Sequence, residues 1–153
     1  MKDLDRVDRN ILRTLQAQGR IANNELAEIV GLSPSSCLRR VRSLEDSGVI
    51  ERYSALLNAS KIGKGFTAFA RVWLISQDAE TVDYFTEQVQ ALPEVVECHL
   101  MAGDSDFLLR VVAADLDTYR QFQSEYLTRI RGVQNVKTEI PMQKIKLTSE
   151  LPL

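Results

Sequence analysis

Leu4, Val7, Ile11, Leu12 and Leu15 recur at spacings of three and four through an otherwise charged stretch, which puts them on one face of a helix. Asp3 and Asp5 stand at its start, where carboxylates answer unpaired backbone N–H groups, and Gly19 follows its end. A shorter pattern, Leu26, Ala27, Ile29 and Val30, begins at Asn23 or Asn24 and halts at Gly31, since glycine enters a left-handed turn without strain. The third helix opens on Ser33-Pro34. The serine is a good N-cap, and proline suits the first helical position because its missing N–H has no partner there. This helix runs to about Ser47, with Leu38, Val41 and Leu44 as its buried stripe and Cys37 bordering it. A short apolar helix, a tight glycine turn and a helix with a polar, basic outer face make a helix-turn-helix pattern. Val49–Leu57 reads as a strand leading out, and Asn58–Gly65 as an interdomain linker.

From Phe66 the period changes. Phe66–Ser76 is predicted as a strand, and Glu80–Leu92 as a helix with Val82, Phe85, Val89 and Leu92 inward. Val95–Ala102 and Phe107–Ala113 are strands joined by Gly103-Asp104-Ser105-Asp106. Leu116–Ile130 is a second helix with Leu116, Tyr119, Phe122, Tyr126 and Ile130 inward, and Val133–Lys146 a last strand. The order β-α-β-β-α-β is the ferredoxin-like arrangement, one antiparallel sheet with both helices on one face. The chain is thus α+β, with a helix-turn-helix domain over residues 1–60 and a ferredoxin-like sandwich over residues 61–153. A wet second sheet face should alternate cleanly, yet Phe69, Trp73 and Ile75 share it with only Thr67 and Arg71 on the first strand. On the second strand, Val96, Cys98 and Leu100 are expected on one face and Val95, His99 and Met101 on the other. So large an apolar patch calls either for a second copy of the chain, a homodimer packed sheet to sheet, which is the simpler solution, or for a different strand boundary.

Composition excludes several classes. The chain has 153 residues, 44% of them hydrophobic and 26% charged, with a net charge of −2. Its longest stretch without a charged side chain is the ten residues Ile29–Leu38, far short of the roughly 20 that a membrane helix needs. The opening MKDLDRVDRN lacks the apolar core of a signal peptide, and Cys37 and Cys98 offer no disulfide framework, so a cytoplasmic location is expected. His99 is the only histidine, which leaves no His-based triad, no metal site and no constellation for an enzyme.

Local charge says more than the total. Residues 1–60 carry nine Lys/Arg against eight Asp/Glu, but Ser33–Leu44 has three arginines and no acid. Guanidinium forks at Arg39, Arg40 and Arg42 suit phosphate oxygens and guanine edges, and Ser35 and Ser36 let the backbone approach a groove. A solvated helix face is the plain alternative, and the helix-turn-helix setting favours double-stranded DNA. The Gly103–Asp106 turn is either an ordinary hairpin connection or a ligand loop, and spacing alone leans to the former.

The run LDRVDRNILRTLQAQGRIANNELAEIVGLSPSSCLRRVRSLEDSGVI resembles the winged helix-turn-helix of the Lrp/AsnC (feast/famine) transcription regulators. ECHLMAGDSDFLLRVV resembles the hairpin of that family's amino-acid-sensing domain, and MQKIKLTSELP resembles the ending of many members. The resemblance implies a winged helix-turn-helix, a hinge strand and a sandwich that dimerises through its sheets and often assembles into octamers or hexadecamers. It implies DNA contacts from Ser35, Ser36, Arg39, Arg40 and Arg42. An amino-acid effector is implied between neighbouring dimers, held by Met101, Gly103, Asp104 and Asp106 with Thr138, Glu139 and Ile140 nearby, and no other cofactor. Met101 and Ile140 point to a small or apolar amino acid. Ala22 departs from the Ser or Thr that caps the second helix in many members, so either Asn23 takes over the cap or that helix start frays. The expected function is a DNA-binding transcriptional regulator modulated by an amino acid. The rivals are an architectural DNA binder indifferent to ligand and a sensing module that regulates an enzyme.

Overall fold

The computed structural model describes residues 3–153 and comprises two compact units. One holds the chain up to Leu56 together with Ile145–Leu153, and the other spans Leu57–Lys144.

In the first unit, α1 (Arg6–Ala17), α2 (Asn23–Val30) and α3 (Pro34–Asp46) enclose a core of Ile11, Leu12, Leu26, Ala27, Cys37 and Leu44. Asp5 caps α1, and Ser33 caps α3 ahead of Pro34 as the sequence predicts. Gly31 adopts φ 70°, which lets the Leu32 N–H reach back to the Ala27 carbonyl at 2.9 Å and makes the tight turn. Asn23 does not cap α2: Ala22 holds that position without a side-chain bond, and the Asn23 amide donates to the Pro34 carbonyl at 2.9 Å. That bond ties the start of α2 to the start of α3. Cys37, not Leu38, lies at the centre of the α3 stripe. Spacings of four and three from Cys37 reach Val41 and Leu44, so Leu38 falls outside the stripe and is 39% exposed.

The Val49–Leu57 segment forms no strand, because no neighbouring segment pairs with its backbone. It is held instead by Ile50 N–H to the Leu44 carbonyl and by Tyr53 Oη donating to Glu45 at 3.0 Å. The last residues return to α1. The Gln16 amide exchanges two bonds with the Leu151 backbone, at 2.6 and 3.1 Å, while Arg13 Nε donates to the Leu153 carbonyl and Leu153 packs on the core. The domain boundary read from sequence counted these residues with the second domain.

The second unit contains β1 (Phe66–Leu74), α4 (Ala79–Gln90), β2 (Val95–Leu100), β3 (Phe107–Ala113), α5 (Leu116–Glu125) and β4 (Val133–Glu139). The antiparallel sheet runs β2-β3-β1-β4. Ala68, Ala70, Val72 and Leu74 of β1 and Leu109 and Val111 of β3 face Phe85, Val89, Tyr119 and Phe122 of the helices. Three expectations shift. β4 stops at Glu139 rather than Lys146, since Pro141 lacks the N–H that a ladder needs. The second helix ends at Glu125 and tightens into a 3-10 turn over Leu127–Arg129, which buries Leu127 and leaves Tyr126 and Leu116 exposed. A register shift between Val95 and Glu97 changes the faces of β2: Val95, Cys98 and Leu100 stand opposite the buried Val111, Leu109 and Phe107 on the helix side, and Glu97 and His99 on the other.

The face away from the helices therefore mixes Phe69, Trp73, Leu108 and Val112 with paired charges. Arg110 meets Glu97 at 2.7 Å and Arg71 meets Glu139 at 3.3 Å.

Three helices start on aspartate caps. The Asp8 N–H and then Arg40 lower the Asp5 carboxyl. Ser76 and then Thr81 bring Asp78 to about 2, and Thr118 lowers Asp115. Each folded value lies below the ordinary one, so the stabilisation is complete above pH ~4 and is lost as pH falls through the folded values. Asn caps as well without titrating. Replacing Asp78 and Asp115 with Asn should flatten the fall of the urea midpoint between pH 5 and 2, while wild type loses stability steeply there.

Candidate functional site

The exposed side of α3 carries Ser35, Leu38, Arg39, Arg42 and Ser43, followed by Asp46 and Ser47, around a shallow depression. Arg39 and Arg42 make no hydrogen bond or ion pair with any other described residue. Two guanidinium groups thus project from one helix face with their donors uncommitted, beside small hydroxyl residues and one leucine. Leu38 is the member that reading the sequence missed. Its signal was the Cys37–Val41–Leu44 spacing, which turns position 38 outward.

The hydroxyls at the start of α3 are partly engaged. Ser33 Oγ accepts from the Ser36 N–H at 3.3 Å, donates to Ser36 Oγ at 3.0 Å and lies 3.3 Å from Ser35 Oγ. Ser35 is exposed, whereas Ser36 is half-buried within the cap. Arg40 differs from its two neighbours. Its guanidinium reaches Asp5 at 2.7 Å and Asp8 at 2.8 Å on α1, and both carboxylates raise its already high pKa. The expected DNA contact at Arg40 is, in this structure, an ion pair between helices.

The β2–β3 hairpin is built around Asp106. Its backbone N–H donates to the Val72 carbonyl at 3.0 Å, and its carbonyl accepts from Met101 N–H at 2.8 Å. Its carboxylate accepts from the Leu74 N–H and from the Gln77 amide, each at 2.7 Å. Asp106 is buried and hydrogen-bonded, and it braces the loop against the end of β1. Trp73 Nε1 donates to the Asp104 carbonyl at 2.7 Å and fixes the tip from the other side. Met101, Gly103 and the Asp104 carboxylate remain on the surface of this preformed loop.

The β4 candidates divide. Thr138 Oγ1 bonds Tyr119 Oη at 2.7 Å on the helix side of the sheet, where burial pushes the Tyr119 phenol up. Glu139 lies on the opposite face between Arg71 and Lys137, at 3.3 and 3.5 Å, and Ile140 is exposed beyond the strand. Thr138 stands opposite Ala70, whereas Asp106 is bonded to Leu74. Those points lie four residue steps apart on β1, about 13 Å at roughly 3.3 Å per residue. One chain therefore does not bring the hairpin and the end of β4 together.

A helix-turn-helix head carried on the same chain as an α/β sandwich with a braced surface loop is the architecture of a DNA-binding transcriptional regulator. Residues 4–51 match the winged helix-turn-helix DNA-binding family, and residues 67–151 match the Lrp/AsnC ligand binding domain. The chain belongs to the Lrp/AsnC family of transcriptional regulators, which are not enzymes. The leucine-responsive regulatory proteins of Escherichia coli K12 and Klebsiella pneumoniae are each 43% identical over 150 residues, covering 98% of this chain and 92% of the relative. A Neisseria meningitidis transcriptional regulator solved with L-methionine superposes with a TM-score of 0.94 at 37% identity, covering 98% of this chain and 97% of that one. An AsnC family regulator from Agrobacterium tumefaciens gives 0.91 at 41% identity, covering 97% and 96%. The feast or famine regulatory protein of M. tuberculosis, complexed with L-methionine, gives 0.87 at 28% identity, covering 97% and 99%. No helix among the described residues is long and apolar enough to cross a membrane.

The bracing role of Asp106 is testable. Asp106→Asn turns one of its two acceptor oxygens into a donor that faces another donor, and an unmade buried bond costs about 1–3 kcal/mol. Chemical denaturation should register a loss of that size, and hydrogen exchange should rise at Leu74 and through residues 101–106. Unchanged exchange would contradict the assignment.

Proposed function

We propose that the protein regulates transcription in the cytoplasm as a homodimer that docks α3 in successive major grooves of double-stranded DNA. The reading rests on the outward pair Arg39 and Arg42, two uncommitted guanidinium forks on the second helix of a helix-turn-helix. Ser35 and Ser36 bring the α3 N-terminus near the backbone, and Leu38 adds an apolar surface suited to a thymine methyl group. A dimer sets two such helices roughly 34–36 Å apart, so pseudo-palindromic half-sites follow.

The sensing domain takes a free amino acid as effector. Met101, Gly103 and Asp104 supply an accessible loop tip whose backbone is already fixed, and Asp106 supports it from beneath. Thr138, Glu139 and Ile140 of the same chain lie too far away to close over so small a molecule, which favours a site completed by a second copy. The open sheet face, with Phe69, Trp73, Leu108 and Val112 half-buried, is the dimer surface, and further assembly toward an octamer brings sensing domains of neighbouring dimers together. The relatives solved with L-methionine and the leucine-responsive relatives favour an apolar amino acid. The effector shifts one assembly against another by its differential affinity for the two.

Fluorescence anisotropy across a salt series tests the DNA interface. Arg39→Ala and Arg42→Ala should each weaken binding and reduce the slope of log affinity against log salt by about 1. Unchanged slopes in both variants would refute it. For the effector, a thermal-shift screen of the amino acids should raise the unfolding midpoint with methionine or leucine. No shift with any amino acid would leave the architectural DNA binder as the better reading.

A further inference from the structure

The three arginines of α3 are close in sequence but not in direction. At 100° per residue, Arg39 and Arg42 fall near one line on the helix surface, and Arg40 is turned toward α1. Its Nη1 donates to Asp5 Oδ2 at 2.7 Å and to Asp8 Oδ1 at 2.8 Å. Asp5 Oδ1 meanwhile accepts the Asp8 N–H at 2.8 Å as the α1 cap. Cap, carboxylate and guanidinium thus form one network. The Asp8 side chain is only 6% exposed, and Arg40 is the cation its carboxylate meets.

We infer that Arg40 is a positioning residue that clamps α3 to α1 through Asp5 and Asp8 and thereby sets the direction in which Ser35, Leu38, Arg39 and Arg42 meet a duplex. It makes no phosphate contact of its own. The inference rests on the reading that α3 enters DNA. Apolar packing is non-directional, and the α3 side of the core contains the small Cys37, the half-buried Val41 and Leu44. Such a contact resists separation of the helices better than rotation of one against the other. Two charge-assisted bonds from one guanidinium nitrogen fix the angle. Were Arg40 to leave for a phosphate, Asp8 would remain buried with its charge unanswered, and two carboxylates would face the DNA backbone. The clamp also quenches that repulsion.

The two roles differ in sign at Asp8. If Asp8 were only an acid near phosphates, its neutralisation would tighten DNA binding. If it holds Arg40, neutralisation loosens α3 and weakens binding. The experiment uses the full chain and two probes: a duplex selected from a randomised pool for tight binding to the wild-type protein, and sonicated genomic DNA. Arg40→Ala and Asp8→Asn should each weaken the selected duplex about tenfold. Neither should reduce the salt slope by a full contact, and both should weaken the selected duplex more than genomic DNA. Asp8→Asn is isosteric and decides alone if R40A fails to fold at the assay temperature. A slope reduced by about 1 in R40A, a tighter selected duplex in D8N, or unchanged affinity in both would overturn the clamp. Arg39→Ala is the control: its loss of affinity and slope keeps the DNA reading standing when the clamp fails. Inert R39A and R42A together remove the reading and the clamp with it.

Discussion

A carboxylate taken out of water has to be answered by a cation or by hydrogen-bond donors, and in the helix-turn-helix unit Arg40 answers Asp8. The side chain sits on α1 among residues that bury Ile11 and Leu12, and Arg40 reaches it from α3. Removing one partner of such a pair leaves an uncompensated charge, which costs far more than the pair is worth against an apolar alternative. The pair is therefore a poor source of stability and a good source of geometry. It specifies how α3 lies on α1, and Asn23, donating to the Pro34 carbonyl, specifies where α3 begins. Between them, a helix of thirteen residues is held at its start and at its middle while its outer side stays free.

The sandwich solves a parallel problem with a neutral lattice. Its hairpin would be a mobile string of Gly, Asp and Ser if left alone. Asp106 takes two donors from the end of β1 and the segment after it, and Trp73 takes the Asp104 carbonyl from the opposite side. The loop is fixed before any ligand arrives, so binding there need not meet the full entropy of ordering it. The same strand that braces the hairpin at Leu74 pairs Thr138 and Glu139 with Ala70 and Phe69, near its middle. Topology alone thus separates two halves of an expected site.

How much of this was legible in the sequence follows from how local the cause is. Ser33-Pro34, Asp5, Gly31 and the order of the six elements of the sandwich are local chemistry or simple periodicity, and they read correctly. Errors arose where a residue's role is decided by something distant. Leu38 looked like core until Cys37 claimed the centre of the stripe. Tyr126 looked inward until the helix tightened and Leu127 took its place. The strand at Val49–Leu57 needs a partner that the chain does not supply, and β4 stops short of Pro141. In the candidate site, Arg39 and Arg42 read correctly as outward because helical angle suffices. Arg40 could have been separated from them by the same angle, but its partners lie 32 and 35 positions earlier, where no spacing rule reaches. The bracing role of Asp106 was hidden for the opposite reason: an acid in a turn looks free, and only its burial under the β1 end reveals the bonds to Leu74 and Gln77.

The run Arg39-Arg40-Val41-Arg42 is therefore a division of labour written by angle. A helix presented to a groove needs cations outward, yet a helix held only by small apolar side chains would turn under the load those cations meet. Placing one of three identical residues on the inner edge lets the same chemistry serve both ends of the problem, with carboxylates answering it on one side and phosphates proposed on the other. The arrangement also keeps Asp5 and Asp8 from presenting net negative charge beside the reading face. A basic stripe on a chain of net charge −2 is thus shaped as much by the acids it silences as by the bases it displays.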